Sequence, residues 1–114
     1  MARTVASRKA KGRVLQNKIV DELLRAFPEL TSDDIVSVPA SVNGRDIMLS
    51  AQAQRVIPYS IEAKNQEKLN IWSALQQAED NAGNLIPTLI FKRNRSKTYV
   101  AIELDEFIKI IKLK

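Results

Sequence analysis

The chain has 114 residues and a net charge of +5, and it contains no cysteine and no histidine. This length allows one domain with a modest core. The absence of cysteine excludes disulfides, thiolate metal sites and cysteine nucleophiles, and the absence of histidine excludes the commonest general base and zinc ligand. Any metal must therefore be bound by oxygen ligands, and catalysis must use carboxylates, lysine or a metal-activated water.

Positive charge is concentrated near the N-terminus, where residues 1–18 include six basic residues and no acid. A second basic cluster lies within residues 92–97. Such clustering indicates either a polyanionic partner, nucleic acid or an anionic membrane surface, or a solvated segment that keeps the protein soluble. The sequence shows no secretory h-region and no apolar run of about 20 residues, so we expect an intracellular protein without a membrane span.

The predicted elements follow the order α-β-β-β-α-β-β-α, which indicates an α/β (α+β) domain with a mixed sheet. They are a helix over 15–27, strands over 35–38, 46–49 and 56–63, a helix over 71–82, strands over 85–92 and 98–103, and a short helix from Asp105. Turns are predicted at Asn43-Gly44 and over 51–54.

Residues 1–12 are expected to form a flexible basic arm, followed by a single domain over residues 13–114. Asn70 is the predicted N-cap of the second helix, and Gly83 is its predicted stop. Trp72 is expected in the core or at a subunit interface. The apolar residues expected to be buried in the last helix are Phe107, Ile108, Ile111 and Leu113.

Residues 57–64 alternate between apolar and polar, which places Glu62 and Lys64 on one face of a strand. An ordinary charge pair on a solvent-facing edge is one explanation. If the strand pairs with the one before it, however, Asp46 and Glu62 converge beside Lys64. Two adjacent carboxylates repel unless a cation neutralises them, and oxygen ligands of this kind suit Mg²⁺. The alternative is a chance placement of acids.

Gln16 falls in the middle of the apolar arc of the first helix when residues are spaced at about 100°. A glutamine that faces the core needs hydrogen-bond partners. Backbone groups could supply them, but the acids described above favour a polar site that this helix covers.

These residues resemble the PD-(D/E)xK nuclease superfamily, through Asp46 in "GRDIML" and Glu62-Ala63-Lys64 in "YSIEAKNQ". The opening "RKAKGRVLQNKIVDELL" and the later "SVPAS" are similar to archaeal Holliday-junction resolvases and related small phage nucleases. The similarity extends from about Arg8 to Leu89. It implies a restriction-endonuclease-like α-β-β-β-α-β core, to which this chain adds one strand and a C-terminal helix.

The resemblance also implies roles for individual residues. Asp46, Glu62 and the carbonyl of Ala63 would bind Mg²⁺, with Mn²⁺ as a substitute, and Lys64 would act at the attacking water and the scissile phosphate. Gln16 stands where many resolvases carry a glutamate, so the site has one charge fewer and a second metal ion is disfavoured.

The implied partner is DNA, branched forms included, and the implied assembly is a homodimer, with no membrane and no small-molecule cofactor. Arg45 stands where the motif has proline. The residues expected to contact DNA are Arg8, Lys9, Lys11, Arg13, Ser41, Asn43, Arg45, Lys92, Arg93, Arg95 and Lys97. Because the chain has only six aromatic residues, most on apolar faces, a base-stacking surface is not expected.

The expected function is therefore Mg²⁺-dependent endonucleolytic hydrolysis of DNA, selective for branched structures such as Holliday junctions. One alternative is a general phage or restriction-type nuclease that acts on linear or nicked DNA. Another is a non-catalytic DNA-binding module in which Glu62 and Lys64 form a surface pair, and a basic protein–protein adaptor is a third. The expected location is the cytoplasm, that of the host if a phage encodes the protein.

Overall fold

The computed structural model describes residues 5–39 and 45–113 and has a mixed α/β fold, as the sequence predicted. Its elements are α1 (Val5–Ala26), β1 (Ile35–Ser37), β2 (Ile47–Leu49), α2 (Ala51–Val56), β3 (Tyr59–Asn65), α3 (Ile71–Asp80), β4 (Ile86–Lys92), β5 (Tyr99–Ala101) and α4 (Leu104–Lys112). This arrangement is compatible with a restriction-endonuclease-like fold. None of these four helices combines the length and the hydropathy needed to cross a bilayer.

The described strands form two sheets. Strands β1 and β2 make an antiparallel pair, in which Ile35 lies opposite Leu49. In the second sheet β3 is parallel to β4, and β4 is antiparallel to β5. A parallel pair requires a crossover connection, and α3 provides it between β3 and β4. The order of this sheet is therefore β3-β4-β5, with β4 in the middle and β3 at one edge.

Strand β3 is buried on both of its faces, so its polar face, like its apolar face, is shielded from solvent. One face, with Ile61 and Ala63, joins the main core formed with Leu15 and Ile19 of α1. The opposite face holds Ser60 and Glu62, which are also buried. Burial of both faces is usual for parallel strands. The alternation predicted from the sequence is correct, but the solvent-facing edge considered as an alternative is excluded.

Helix α1 begins at Val5, so residues 5–12 are helical and do not form the flexible arm that the sequence predicts. Alanine, lysine and arginine are strong helix formers and dominate this segment, and a single glycine costs only about 1 kcal/mol. The carbonyl of Lys11 also accepts a hydrogen bond from the side-chain amide of Asn65 at 3.4 Å, which ties the segment to β3.

Residues 51–56 form the short helix α2 in place of the predicted turn. Ser50 is its N-cap, because its hydroxyl accepts a hydrogen bond from the N–H of Ala53 at 3.0 Å. The same hydroxyl donates to Asp34 at 2.7 Å. The Ala-Gln-Ala-Gln sequence that follows has good helix propensity, so a capped helical turn forms here.

The C-terminal helix contradicts the burial predicted for it. Phe107, Ile108 and Ile111 are each about half exposed, and Leu113 is more exposed still. Trp72 on α3 is 82% exposed, so its predicted place in the core is also wrong. In both helices the described residues leave these side chains largely uncovered.

Candidate active site

Asp46 connects the β1–β2 pair to β3. Its backbone carbonyl accepts a hydrogen bond from Val38 at 2.9 Å, which extends the β1–β2 ladder by one step. Its side-chain Oδ2 accepts a second bond, from the N–H of Ala63 on β3, at 2.7 Å. The carboxylate of Asp46 is thereby fixed against the strand that carries Glu62 and Lys64.

Glu62 and Lys64 lie side by side on β3, with Nζ of Lys64 3.4 Å from Oε2 of Glu62. The Glu62 side chain is only 3% exposed and the Lys64 side chain is 21% exposed. Burial, followed by the negative charge of Asp46, raises the pKa of Glu62 from its usual 4.5 to about 7, while the Lys64 ammonium opposes the shift. The structure therefore brings all three predicted residues together, in a place where ionised Glu62 needs more positive charge than Lys64 supplies.

Ala63 adds a backbone oxygen to this group. In a β-strand the N–H and C=O of one residue point toward the same neighbouring strand. Because the N–H of Ala63 is bonded to Asp46, its carbonyl also lies on the Asp46 side of β3. Two carboxylates and one carbonyl are hard oxygen donors of the type that Mg²⁺ and Mn²⁺ prefer.

Asp46 and Glu62 form a small set of two carboxylates. Within residues 5–39 and 45–113, no three or more acidic, histidine or cysteine side chains group together as potential ligands. Ca²⁺ takes six to eight protein and water oxygens, whereas Mg²⁺ is commonly held by one or two carboxylates and keeps several waters.

Gln16 is a residue of α1 and is buried, as its position on the helix predicted. Its side-chain oxygen accepts a hydrogen bond from the Ser37 hydroxyl at 2.9 Å, which joins α1 to the end of β1. The oxygen is therefore engaged by β1 and not by the Asp46–Glu62 pair. Sequence reasoning missed Ser37, although it lies in the "SVPAS" segment, because only the fold shows which hydroxyl faces the buried glutamine.

In a comparison against protein-family models, residues 7–114 match the family described as "Phage putative PDDEXK endonuclease". The chain belongs to this family. It is thus a nuclease of the PD-(D/E)xK superfamily, which confirms the superfamily predicted from the sequence. Separate searches found no match among curated proteins or among solved structures.

In this PDDEXK endonuclease the two basic segments meet beside the end of β3. Glu67, just after β3, accepts a hydrogen bond from the N–H of Asn94 at 2.6 Å, and the same oxygen lies 4.0 Å from Nζ of Lys11. These contacts link the first turns of α1 to the turn between β4 and β5. The predicted DNA-contacting residues that are exposed on these segments are Arg8, Lys9, Arg13, Arg93, Arg95 and Lys97, while Lys11 and Lys92 are partly buried.

Arg45 has a structural contact that the sequence did not predict. Its guanidinium donates to the carbonyls of Asn81 and Ala82, at 3.1 and 2.9 Å. These carbonyls lie at the C-terminal end of α3, where the helix leaves acceptors unpaired and favours positive charge. Arg45, the residue before Asp46, is thus anchored to the end of α3. Ser41 and Asn43, the other predicted DNA contacts near it, lie outside the described residues.

Proposed function

We propose that this endonuclease hydrolyses DNA phosphodiester bonds in a Mg²⁺-dependent reaction at Asp46, Glu62 and Lys64. The observation that carries the proposal is the buried Glu62 carboxylate, which lies beside both a second carboxylate and an ammonium group. A buried acid with a strongly raised pKa next to specific charged partners is typical of a functional site. No histidine or cysteine is needed for this chemistry.

Asp46, Glu62 and the carbonyl of Ala63 would hold the Mg²⁺ ion, with Mn²⁺ as a substitute. When bound, the ion supplies Lewis-acid polarisation of the phosphate and lowers the pKa of a water. The chain holds these donors in place, since β3 fixes Glu62 and Ala63 and the Asp46–Ala63 hydrogen bond fixes the second carboxylate. The neutral Gln16, which bonds to Ser37, adds no charge and so favours a single metal ion.

Lys64 would stabilise the negative charge that develops on the phosphate as water adds and the P–O bond to the leaving oxygen breaks. Its ammonium is held by Glu62 at 3.4 Å, so it is oriented before the substrate arrives. Preorganised charge of this kind costs little reorganisation during the reaction and is commonly a large contribution to catalysis.

The basic segments on α1 and on the β4–β5 turn would bind the DNA backbone on the side of the fold where β3 ends. Contacts of this type position the substrate without reading its sequence, and they weaken steeply as salt increases. The exposed arginines and lysines named above are the proposed contacts, and their joint location near Glu67 supports one continuous track.

Selectivity for branched DNA is the finer part of the proposal and rests on the resemblance to junction resolvases. Paired cuts in two strands would require a homodimer. A general nuclease for linear or nicked DNA is the alternative. The protein would act in the cytoplasm of the phage host.

The test is a cleavage assay on four-way junctions, nicked duplex and linear duplex, each with Mg²⁺ and with EDTA. We expect Mg²⁺-dependent cleavage, fastest on the junction. Asp46→Asn and Glu62→Gln should abolish cleavage while DNA binding persists. Equal rates on all three forms would refute junction selectivity alone. Absence of cleavage of any form with Mg²⁺ or Mn²⁺ would refute the whole proposal.

A further inference from the structure

A cavity of about 300 Å³ lies beside the end of β3, and Asp46, Glu62 and Lys64 are not among its lining residues. Apolar and aromatic side chains form much of its wall, and two basic residues stand among the lining. Its volume is at the lower end of the range found for small-molecule sites. The lining residues that matter here are Leu69, Ile71, Phe91, Tyr99, Lys92 and Arg93.

The aromatic wall is formed by two neighbouring strands. Phe91 on β4 lies opposite Tyr99 on β5, and their ring centroids are 6.1 Å apart with the planes tilted by 35°. Tyr99 is about half exposed, so part of its ring is open to a ligand. The sequence predicts no base-stacking surface, since its aromatic residues are few; Phe91 and Tyr99 are eight positions apart and become adjacent only when β4 and β5 pair.

The cavity is close to the candidate active site. In the β3–β4 register Lys64 lies directly opposite Phe91, and Asn65 lies opposite Lys92. Paired residues on neighbouring strands are separated by about 5 Å and carry their side chains on the same face of the sheet. A DNA strand that places a phosphate at Lys64 therefore has its adjoining nucleotides within reach of the cavity.

We propose that this cavity binds one unpaired nucleobase of the DNA substrate, stacked against Tyr99, with a neighbouring phosphate on Arg93. Every base offers a π-face, so an aromatic wall accepts any base without reading sequence. The charge of Arg93 matches that of a flanking phosphate. The inference rests on the proposed function and gives it a physical basis for selectivity, since gaps, bulges and single-stranded flaps expose unpaired bases and an intact duplex does not.

Glu67 also lines the cavity, and its charge needs an account. Its Oε2 is engaged by the N–H of Asn94 at 2.6 Å and lies 4.0 Å from the Lys11 ammonium. These partners offset much of the repulsion that the carboxylate would otherwise exert on DNA phosphates. Glu67 therefore helps to fix the shape of the cavity, and its repulsion of a nucleotide phosphate is reduced.

The test is equilibrium DNA binding in EDTA, so that binding is measured without cleavage. Three labelled duplexes are compared: one fully paired, one with a single unpaired nucleotide, and one in which that unpaired nucleotide lacks its base. We expect the protein to bind the second about tenfold more tightly than the first. The abasic duplex should lose this preference, because it keeps the bulge and the phosphates but has no base to stack.

Variants assign the preference to the cavity. Tyr99→Ala should remove it and leave binding of the paired duplex within twofold, while Tyr99→Phe should retain it. Trp72→Ala is the matched control, since Trp72 is an exposed aromatic that does not line the cavity, and it should behave like the unaltered protein. If Tyr99→Ala fails to fold, as judged by circular dichroism, the abasic comparison on the unaltered protein decides.

Equal binding of the abasic and base-containing bulges would overturn the inference, as would an equal loss by Tyr99→Ala on all three duplexes. The cleavage assay keeps the two proposals separate. Mg²⁺-dependent cleavage without a preference for unpaired bases refutes the cavity's role alone, and a base-dependent binding preference without any cleavage refutes the nuclease reaction alone.

Discussion

The protein contains two lysine–glutamate pairs with the same separation and opposite surroundings. Lys64–Glu62 on β3 and Lys109–Glu106 on α4 both have a nitrogen–oxygen distance of 3.4 Å. The β3 side chains are 21% and 3% exposed, and the α4 side chains are 70% and 21% exposed. In the β3 pair, burial and the negative charge of Asp46 raise the pKa of Glu62 to about 7. Burial and a second carboxylate, not distance, distinguish a candidate active site from an ordinary surface pair.

The largest expected difference between the pairs is in catalysis. Lys64→Ala should lower the rate of DNA cleavage by about 10²–10³-fold, because it removes a preorganised charge at the reacting phosphate. Lys109→Ala should leave the rate within twofold. Both rates are measured under single-turnover conditions with Mg²⁺. An equal effect of the two substitutions would show that Lys64 acts only as a surface charge.

The next effect is on stability and its pH dependence. Because the folded-state pKa of Glu62 lies above its usual 4.5, the folded protein binds this proton more tightly than the unfolded chain does. Stability is therefore lost as pH rises from about 4.5 to about 7, and above that range ionised Glu62 costs about 2–3 kcal/mol.

Glu62→Gln removes this cost, so it should increase the free energy of unfolding at pH 8 by about 2–3 kcal/mol, and far less at pH 4. Urea denaturation in EDTA at the two pH values measures both quantities. Glu106→Gln is the control and should change stability by about 0.5 kcal/mol or less. A Glu62→Gln variant that is destabilised at pH 8 would contradict the account.

A contrast of similar kind exists between two arginines. Arg45 is partly buried and donates to two carbonyls at the end of α3, whereas Arg25 pairs with Glu22 at 2.9 Å on an exposed face. Arg45→Ala should lower the free energy of unfolding by about 2 kcal/mol, because it removes two hydrogen bonds from a charged donor, although Asn81 and Ala82 keep their bonds from Ser60 and Leu85. Arg25→Ala should cost about 0.5 kcal/mol or less. Urea titrations that gave equal losses would remove the structural role of Arg45.

The smallest effect concerns the buried amide. Ser37→Ala removes the donor to the Gln16 oxygen and should cost about 1 kcal/mol in unfolding free energy, with little change in cleavage rate. Ser73→Ala, at an exposed position of α3, provides a comparison for loss of a hydroxyl outside the core. A large loss of cleavage in folded Ser37→Ala would place the Gln16–Ser37 bond closer to the reaction than we propose.

Sequence patterns predicted faces well but not what covers them. Strand alternation put Glu62 and Lys64 on one side of β3, and helical spacing turned Gln16 inward, because both follow from fixed backbone geometry. Whether a face is buried depends on which distant elements pack there. The charged face of β3 is buried, with the Ser60 hydroxyl bonded to Asn81 at the end of α3, while the apolar face of α4 stays about half exposed. The same limit hid the Phe91–Tyr99 wall and the contact of Arg45 with α3.

Anomalous diffraction from crystals soaked in Mn²⁺ tests the central claim most directly. We predict one ion bonded to the carboxylates of Asp46 and Glu62 and to the carbonyl of Ala63, and no such ion in crystals of Asp46→Asn. An ion bound elsewhere, or an empty site beside two well-ordered carboxylates at pH 8, would contradict the account.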